Sequence, residues 1–146
     1  MTPTSLRTTS LTTESLIAAA ASIPPGAPFV MLNMLRYRER AEYPAGSGTS
    51  LAPCTGREAY QRGYVATFVE LAAGVDIGVE WFGSVLATLV SPPDERWDEF
   101  VLVRYPSYAA FRAIVESERY EREAAPHRLA SLVDWRLLAT AKLAQP

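Results

Sequence analysis

Four polar side chains stand out in or near segments that are otherwise largely apolar: Asn33, Arg36, Arg104 and His127. An amide such as Asn33 can polarise a ligand carbonyl or hold a ligand hydroxyl, and arginine recognises carboxylates in a bidentate manner. Histidine titrates near neutral pH without perturbation, so His127 could act as a general base or an axial haem ligand. We predict Asn33 and His127 as catalytic residues, and Arg36 and Arg104 as ligand-binding residues.

Each of these residues also has a purely structural interpretation. Asn33 interrupts the apolar run FVMLNMLRY, and leaving a buried amide unpaired costs about 1–3 kcal/mol, so neighbouring backbone or a bulge would have to satisfy it. The arginines could instead form salt bridges with Glu80, Asp98, Asp134 or a partner subunit. His127 could be a solvated or capping residue. The sequence alone leaves both interpretations open.

Aromatic side chains could line an apolar ligand pocket, or they could fill the core and its rim. The candidates are Tyr37, Tyr60, Tyr64, Trp81 and Tyr105. From this group we predict Tyr37 and Trp81 as ligand-binding residues.

Composition excludes several classes of function. With one cysteine, Cys54, and one histidine, a zinc site built from these residue types lacks ligands, and we predict neither a metal nor a cofactor. Walker, GxGxxG, GxSxG, HExxH and EF-hand motifs do not occur. A formal charge of −2 gives no positive field for nucleic acid. No apolar stretch of about 20 residues could span a membrane, so we predict a cytoplasmic protein without nucleic-acid or membrane partners.

Periodicity and breaker residues define the elements that must position these side chains. A chain of 146 residues, 49% apolar and 21% charged, corresponds to one globular domain. We predict a short helix over 12–22 outside the main domain, so that 1–27 is an N-terminal extension and 28–146 a single domain. Within that domain we predict strands at 29–37, 79–90, 97–105 and 133–142, and helices at 55–74 and 107–115, with a helical piece at 118–132 broken by Pro126.

The order β–α–β–β–α–β predicts a ferredoxin-like α+β fold, a four-stranded antiparallel sheet with helices on one face. Alternation puts Asn33 on one face of the first strand and Arg36 on the other. In the second strand it assigns Val79, Trp81 and Gly83 to the helix-covered face. The opposite face mixes apolar and ionic residues, which favours a homodimer through the sheet faces.

Several segments resemble the bacterial domain-of-unknown-function-1330 family over roughly residues 28–142: PFVMLNMLRYR, GREAYQRGY, RWDEFVLVRYPSYAAF and SERY. Glu118 and Arg119 depart from the pattern, since the family typically has SPEY at that point. The resemblance implies a dimeric α/β barrel, in which the sheets of two subunits face each other, but it implies no reaction. Relatives in the wider superfamily include cofactor-independent monooxygenases, lactone isomerases and haem-degrading enzymes, which are analogies of fold only.

Three functional hypotheses follow. The first is a cofactor-independent enzyme acting on a small hydrophobic or aromatic molecule. This molecule could also carry a negative charge. The second is a non-catalytic ligand-binding or stress-related dimer. The third is a haem-handling protein with His127 as the iron ligand.

Overall fold

The structure, a computed structural model, describes residues 11–146, so the first ten residues of the predicted N-terminal extension lie outside the described residues. The sheet consists of β1 Phe29–Tyr37, β2 Gly78–Ser84, β3 Glu99–Tyr105 and β4 Leu132–Thr140. All neighbouring strands pair antiparallel, in the order β2-β3-β1-β4. This order confirms the predicted ferredoxin-like α+β fold, with β1 and β3 side by side at its centre.

The helices are α1 Thr13–Ala20, α2 over residues 56–71, α3 Tyr108–Val115 and α4 over residues 120–131. Helix α2 begins with the capping box predicted from TGRE. The Thr55 hydroxyl accepts a hydrogen bond from the backbone N–H of Glu58 at 3.1 Å, and the Glu58 carboxylate accepts one from the backbone N–H of Thr55 at 3.1 Å. No helix within residues 11–146 is long and apolar enough to cross a membrane.

Both α2 and α4 contain a π-helical segment, Ala59–Val65 in the former and Tyr120–Ala124 in the latter. The predicted break at Pro126 is wrong, because the chain continues as the α-helix Ala125–Ser131. Pro126 lies where the π-helical part of α4 passes into its α-helical part.

The second strand is shorter than predicted, ending at Ser84 rather than at residue 90. The backbone N–H of Val85 still donates to the Asp98 carbonyl at 2.9 Å, but beyond this bond the chain has no partner strand. Residues 85–98 therefore form an exposed connection, in which Leu86, Leu89 and Val90 are each more than 90% exposed. Apolar composition favours a strand, but a strand also needs a neighbour.

The face assignment for β2 is also wrong at Trp81 and at Gly83, which lies opposite Phe100 of the open face. The pairing of β2 with β3 shifts between Val79, which lies opposite Val103, and Trp81, which lies opposite Leu102. Such a bulge breaks the strict alternation of a strand, because one extra residue is inserted on one side of the ladder. Val103 belongs to the helix-covered face and Leu102 to the other, so Trp81 lies on the open face.

Helix α1 packs onto the domain rather than standing outside it. Leu16 is 4% exposed and joins a core cluster with Phe29, Met31 and Phe111. The Tyr108 hydroxyl also donates a hydrogen bond to the Leu16 carbonyl at 2.6 Å. The described part of the predicted extension is thus integrated into the fold through one buried apolar side chain and one buried hydrogen bond.

Candidate functional site

Two cavities of about 480 Å³ each lie between the sheet and the helices. This volume falls within the range of small-molecule pockets in proteins. The α4 cavity lies against α1, α3, α4 and β4, and the α2 cavity against α2, β2 and β3. Asn33, Tyr64 and Tyr105 line both cavities, so the two spaces share part of their walls at the centre of the helix-covered face.

Asn33 is 8% exposed and lies on this face, on the central strand β1. Its Nδ2 donates hydrogen bonds to the carbonyl oxygens of Met31 at 3.2 Å and Val101 at 3.1 Å. Both amide hydrogens are therefore used by the backbone, which argues against a role as a donor to a ligand carbonyl. The amide oxygen is an acceptor, so Asn33 can receive a hydrogen bond from a ligand hydroxyl.

Arg128 on α4 is a buried cation that lines the α4 cavity, and the residue is 9% exposed. Its Cζ lies 5.1 Å from the centre of the Tyr64 ring and 6.0 Å from that of Tyr60, within cation–π distance. Its Nη2 is buried without a hydrogen-bond partner. No Asp or Glu within residues 11–146 forms an ion pair with this guanidinium.

Tyrosine hydroxyls surround this cation. The hydroxyls of Tyr64 and Tyr120 are hydrogen-bonded at 2.9 Å. Burial raises the pKa of Tyr60 to about 12 and raises the pKa of Tyr120 well above its usual range. Both hydroxyls therefore stay protonated at neutral pH. The arginine–tyrosine cluster, which we define as Arg128, Tyr60, Tyr64 and Tyr120, thus combines a positive charge with hydroxyl donors and could bind an anion.

The two π-helical segments position this cluster. Tyr60 and Tyr64 lie on the π-helical part of α2 with their ring centres 5.2 Å apart, and Tyr120 begins the π-helical part of α4. Tyr64 and Tyr120 meet edge-on across the two helices, with ring centres 6.0 Å apart. π-Helical turns occur frequently at functional sites.

His127 does not join Asn33 at either cavity. The side chain is buried, with Nδ1 2.6 Å from the Tyr43 hydroxyl and Nε2 3.3 Å from the Thr49 hydroxyl. Burial lowers the pKa of His127. The ring packs so closely on Gly63 that a Cβ at that position would overlap it. Through Tyr43 and Thr49, His127 on α4 therefore links the connection between β1 and α2 to the helical layer.

Arg104 and Arg36 lie on the open face of the sheet. Arg104 forms ion pairs with Asp76 and Glu80, each at 3.2 Å, which matches the structural interpretation of this residue. Arg36 lies opposite Asp134 in the register of β1 and β4, and on the face opposite to Asn33, as the alternation predicts. Within residues 11–146, no group of three or more His, Cys, Asp or Glu side chains could hold a metal ion.

Tyr37 and Trp81, the two predicted aromatic ligand residues, lie apart from each other. The Tyr37 hydroxyl donates a short hydrogen bond to Glu99, whose carboxylate also pairs with Arg57 at 3.3 Å. Burial, and then this hydrogen bond, raise the pKa of Tyr37. Its ring contacts Tyr60 edge-on, so Tyr37 borders the arginine–tyrosine cluster but lines neither cavity. Trp81 is 62% exposed on the open face.

The sequence interpretation missed Arg128 and Tyr120. A signal was present, because Tyr120, Ala124 and Arg128 follow one another at intervals of four residues, which places them on one face of a helix. A tyrosine and an alanine on that face indicate burial. The predicted break at Pro126 lies two residues before Arg128. It assigned Arg128 to a different segment from Tyr120 and Ala124, so the spacing of four residues was not recognised.

No protein-family model matches the chain, and a search of curated proteins finds no match. Solved structures that are similar to the chain include two of one protein, RPA0582. The crystal structure of RPA0582, a protein of unknown function from Rhodopseudomonas palustris, shares 33% identity with a TM-score of 0.78, covering 93% of this chain and 97% of that chain. A crystal structure of methylated RPA0582 shares 34% identity with a TM-score of 0.74, covering 92% and 94% respectively. At this identity and coverage, the chain belongs to the same family as RPA0582.

Proposed function

We propose that this protein binds a small apolar or aromatic molecule between its sheet and its helices. The observation that carries the proposal is a pair of cavities of about 480 Å³ each, which share Asn33, Tyr64 and Tyr105 in their walls. Protein interiors contain few voids larger than a water molecule, because side chains normally interdigitate. Space of this size beneath a helical layer is therefore a feature that a ligand would fill.

The walls of the α2 cavity favour an apolar ligand. Helix α2 contributes Phe68 and Val69, the turn after it Ile77, and the sheet Val101 and Val103. Burial of apolar ligand surface against such walls contributes roughly 25 cal/mol per Å² before the costs of association. The Asn33 amide oxygen supplies an acceptor at the inner end, which favours a ligand that carries a hydroxyl group.

Binding is better supported than catalysis. The enzymatic hypothesis needs at least two of the four polar residues Asn33, Arg36, Arg104 and His127 at one cavity, yet only Asn33 lines either cavity. Both ring nitrogens of His127 contact hydroxyls instead. The same contacts, with Tyr43 and Thr49, leave no ring nitrogen free to coordinate haem iron. Among the three hypotheses, non-catalytic binding of a small molecule needs the fewest rearrangements.

The binding proposal is tested by thermal unfolding with neutral probes: phenol, benzyl alcohol, 1-naphthol, cyclohexanol and toluene. A ligand at 100 times its Kd stabilises the folded state by about 2.7 kcal/mol, which raises the Tm measurably. Val103→Phe fills the α2 cavity and is expected to weaken binding, whereas Val133→Phe, at a half-exposed position of β4, is not. If no aromatic or alicyclic probe, neutral or charged, raises the Tm of the wild type, the proposal fails.

We also propose a cytoplasmic homodimer that belongs to the domain-of-unknown-function-1330 family. The dimer is supported by the open face of the sheet, where Trp81 is 62% and Leu138 46% exposed, and by the exposed connection over residues 85–98. Three apolar side chains of that connection are almost fully exposed, and contiguous exposed apolar surface marks association sites. A second copy would cover both regions with the same kind of surface.

Light scattering after size exclusion tests the dimer. The expected mass is twice that of the 16.0 kDa chain. Leu102→Glu places a charge at the centre of the open face and is expected to give monomers. Leu143→Glu, at an exposed position after β4, should leave the mass unchanged. A monomeric wild type at micromolar concentration would contradict the proposal.

A further inference from the structure

We infer that the ligand is a carboxylate with an aromatic or alicyclic body, and that Arg128 binds its carboxylate group in the α4 cavity. This inference rests on the proposed function and narrows it to one class of ligand. It would make Arg128, rather than Arg36 or Arg104, the residue that determines specificity.

The first argument is the missing counter-charge. Eight other arginines within residues 11–146 form ion pairs with carboxylates, and each of them is more exposed than Arg128. Burying a charge is costly unless it is paired and hydrogen-bonded. Arg36, Arg40 and Arg96 form no ion pair either, but they are half-buried or exposed. Arg128 is therefore the buried arginine within residues 11–146 that has no carboxylate partner. A ligand carboxylate would supply the missing partner.

The second argument is the set of donors around the cavity. The buried Nη2 of Arg128 has no hydrogen-bond partner and belongs to a residue that lines the α4 cavity. Nearby, Tyr64 and Tyr120 share one hydrogen bond, which uses one of their two hydroxyl hydrogens. The other hydroxyl hydrogen can be donated to an anion. Guanidinium and hydroxyl donors together match the two oxygens of a carboxylate.

The acidic residues at the cavity do not neutralise this group. Glu116 and Glu121 line the α4 cavity as well, but Glu116 pairs with Arg112, and Glu121 is exposed to solvent. Arg128, in contrast to both glutamates, is buried. An anion bound at Arg128 would contact the donors of the arginine–tyrosine cluster, whereas the carboxylates of Glu116 and Glu121 lie toward the solvent.

The third argument concerns the body of the ligand. Rings and aliphatic side chains form much of the α4 cavity wall, among them Tyr105, Phe111, Trp135 and Leu137. Aromatic side chains of this kind pack favourably against ring-shaped ligands. Asn33, which lines the α2 cavity as well, offers an acceptor to a ring hydroxyl. A hydroxylated aromatic acid therefore satisfies more of these groups than acetate or inorganic phosphate.

Matched pairs of probes test the inference by calorimetry on the wild type: benzoate and benzamide, 4-hydroxybenzoate and 4-hydroxybenzamide, 1-naphthoate and 1-naphthamide. Each pair keeps the shape and removes the charge. We expect the acid of at least one pair to bind ten-fold or more tightly than its amide, and more tightly than acetate or phosphate. Arg128→Met should bring the acid-to-amide ratio to about one, and Arg128→Lys should keep part of it, since lysine lacks the planar fork. Arg122→Met, at an exposed arginine of the same helix, should leave the ratio unchanged.

The outcomes separate the two proposals. If amides bind as tightly as acids, or if Arg128→Met keeps the ratio, the carboxylate inference is wrong while the binding function stands. If acetate or phosphate binds as tightly as the aromatic acids, the inference about the ligand body is wrong. If neither these probes nor the neutral ones bind, the proposed function falls and the inference with it. Should Arg128→Met fail to unfold cooperatively, the wild-type ratios and Arg128→Lys decide.

Discussion

Replacing Arg128 by methionine is expected to leave the ligand-free protein about as stable as the wild type, or more stable. This expectation is unusual for a buried residue, since truncating one partner of a buried ion pair typically costs about 3–5 kcal/mol. Arg128 differs because no carboxylate within residues 11–146 pairs with it, and because its Nη2 is buried without a partner.

The expected magnitude follows from two opposing effects. Methionine loses the cation–π contacts with Tyr64 at 5.1 Å and Tyr60 at 6.0 Å, which are worth about 0.5–2 kcal/mol. It also removes a buried unsatisfied donor, which relieves about 1–3 kcal/mol. The free energy of unfolding should therefore change by about −1 to +2.5 kcal/mol, and the side chain of methionine keeps most of the apolar packing. For a chain of this size, 1 kcal/mol corresponds to a change in Tm of about 2–4 °C.

Urea unfolding at pH 7, without ligand, measures this change. Arg122→Met serves as the control, because its exposed pair with Glu118 at 3.2 Å should contribute less than about 1 kcal/mol. A loss of 3 kcal/mol or more in Arg128→Met would refute the reasoning, since it would mean that Arg128 stabilises the fold. Retained or increased stability would be the trade-off expected of a charge kept in place for a ligand.

Three further predictions concern the scaffold around the cavities. Gly63→Ala should lower the free energy of unfolding by about 1–3 kcal/mol, because its Cβ would overlap the His127 ring. Gly48→Ala, with open space around it, should change this free energy by less than about 0.5 kcal/mol. Equal urea midpoints of the two variants would contradict the packing of His127 on Gly63. Because burial lowers the pKa of His127, the unfolded chain binds more protons once the pH falls below about 6.5. The wild type should therefore lose stability relative to His127→Gln as the pH falls from 7 to 5, and parallel curves would disprove this contribution. Thr55→Ala removes the cap of α2 and should cost about 1 kcal/mol, measured in the same way; an unchanged midpoint would mean that the capping box with Glu58 is not needed.

The strand order could be predicted because local signals along the chain agree with one another. In β1 the alternation from Phe29 to Tyr37 predicts the observed bounds, and the TGRE capping box predicts the start of α2 at Gly56. Such features depend on neighbouring residues only, so they can be derived from the sequence. The order of elements then leaves few arrangements of the sheet.

Features that depend on partners distant in sequence could not be predicted in this way. Apolar residues alone favour a strand up to residue 90, but the pairing with β3 ends near Ser84. The bulge between Val79 and Trp81 likewise results from the register with β3, and it reverses the face of Trp81. Neither event leaves a pattern within the strand itself.

The candidate site shows the same limit in chemical terms. Residue type singled out Asn33, Arg104 and His127, and in the structure the Asn33 amide hydrogens, the Arg104 guanidinium and both ring nitrogens of His127 have partners within the protein. The group left without a carboxylate, and with its Nη2 lacking a hydrogen-bond partner, is Arg128. Residue type does not single it out, because arginine is equally common on solvent-exposed helices. A polar side chain indicates a ligand when its burial is costly and nothing in the fold offsets that cost, so the position of every possible partner must be known. This is why a buried guanidinium without a carboxylate partner within residues 11–146, and not the presence of an arginine, is the strongest indication of what the cavity binds.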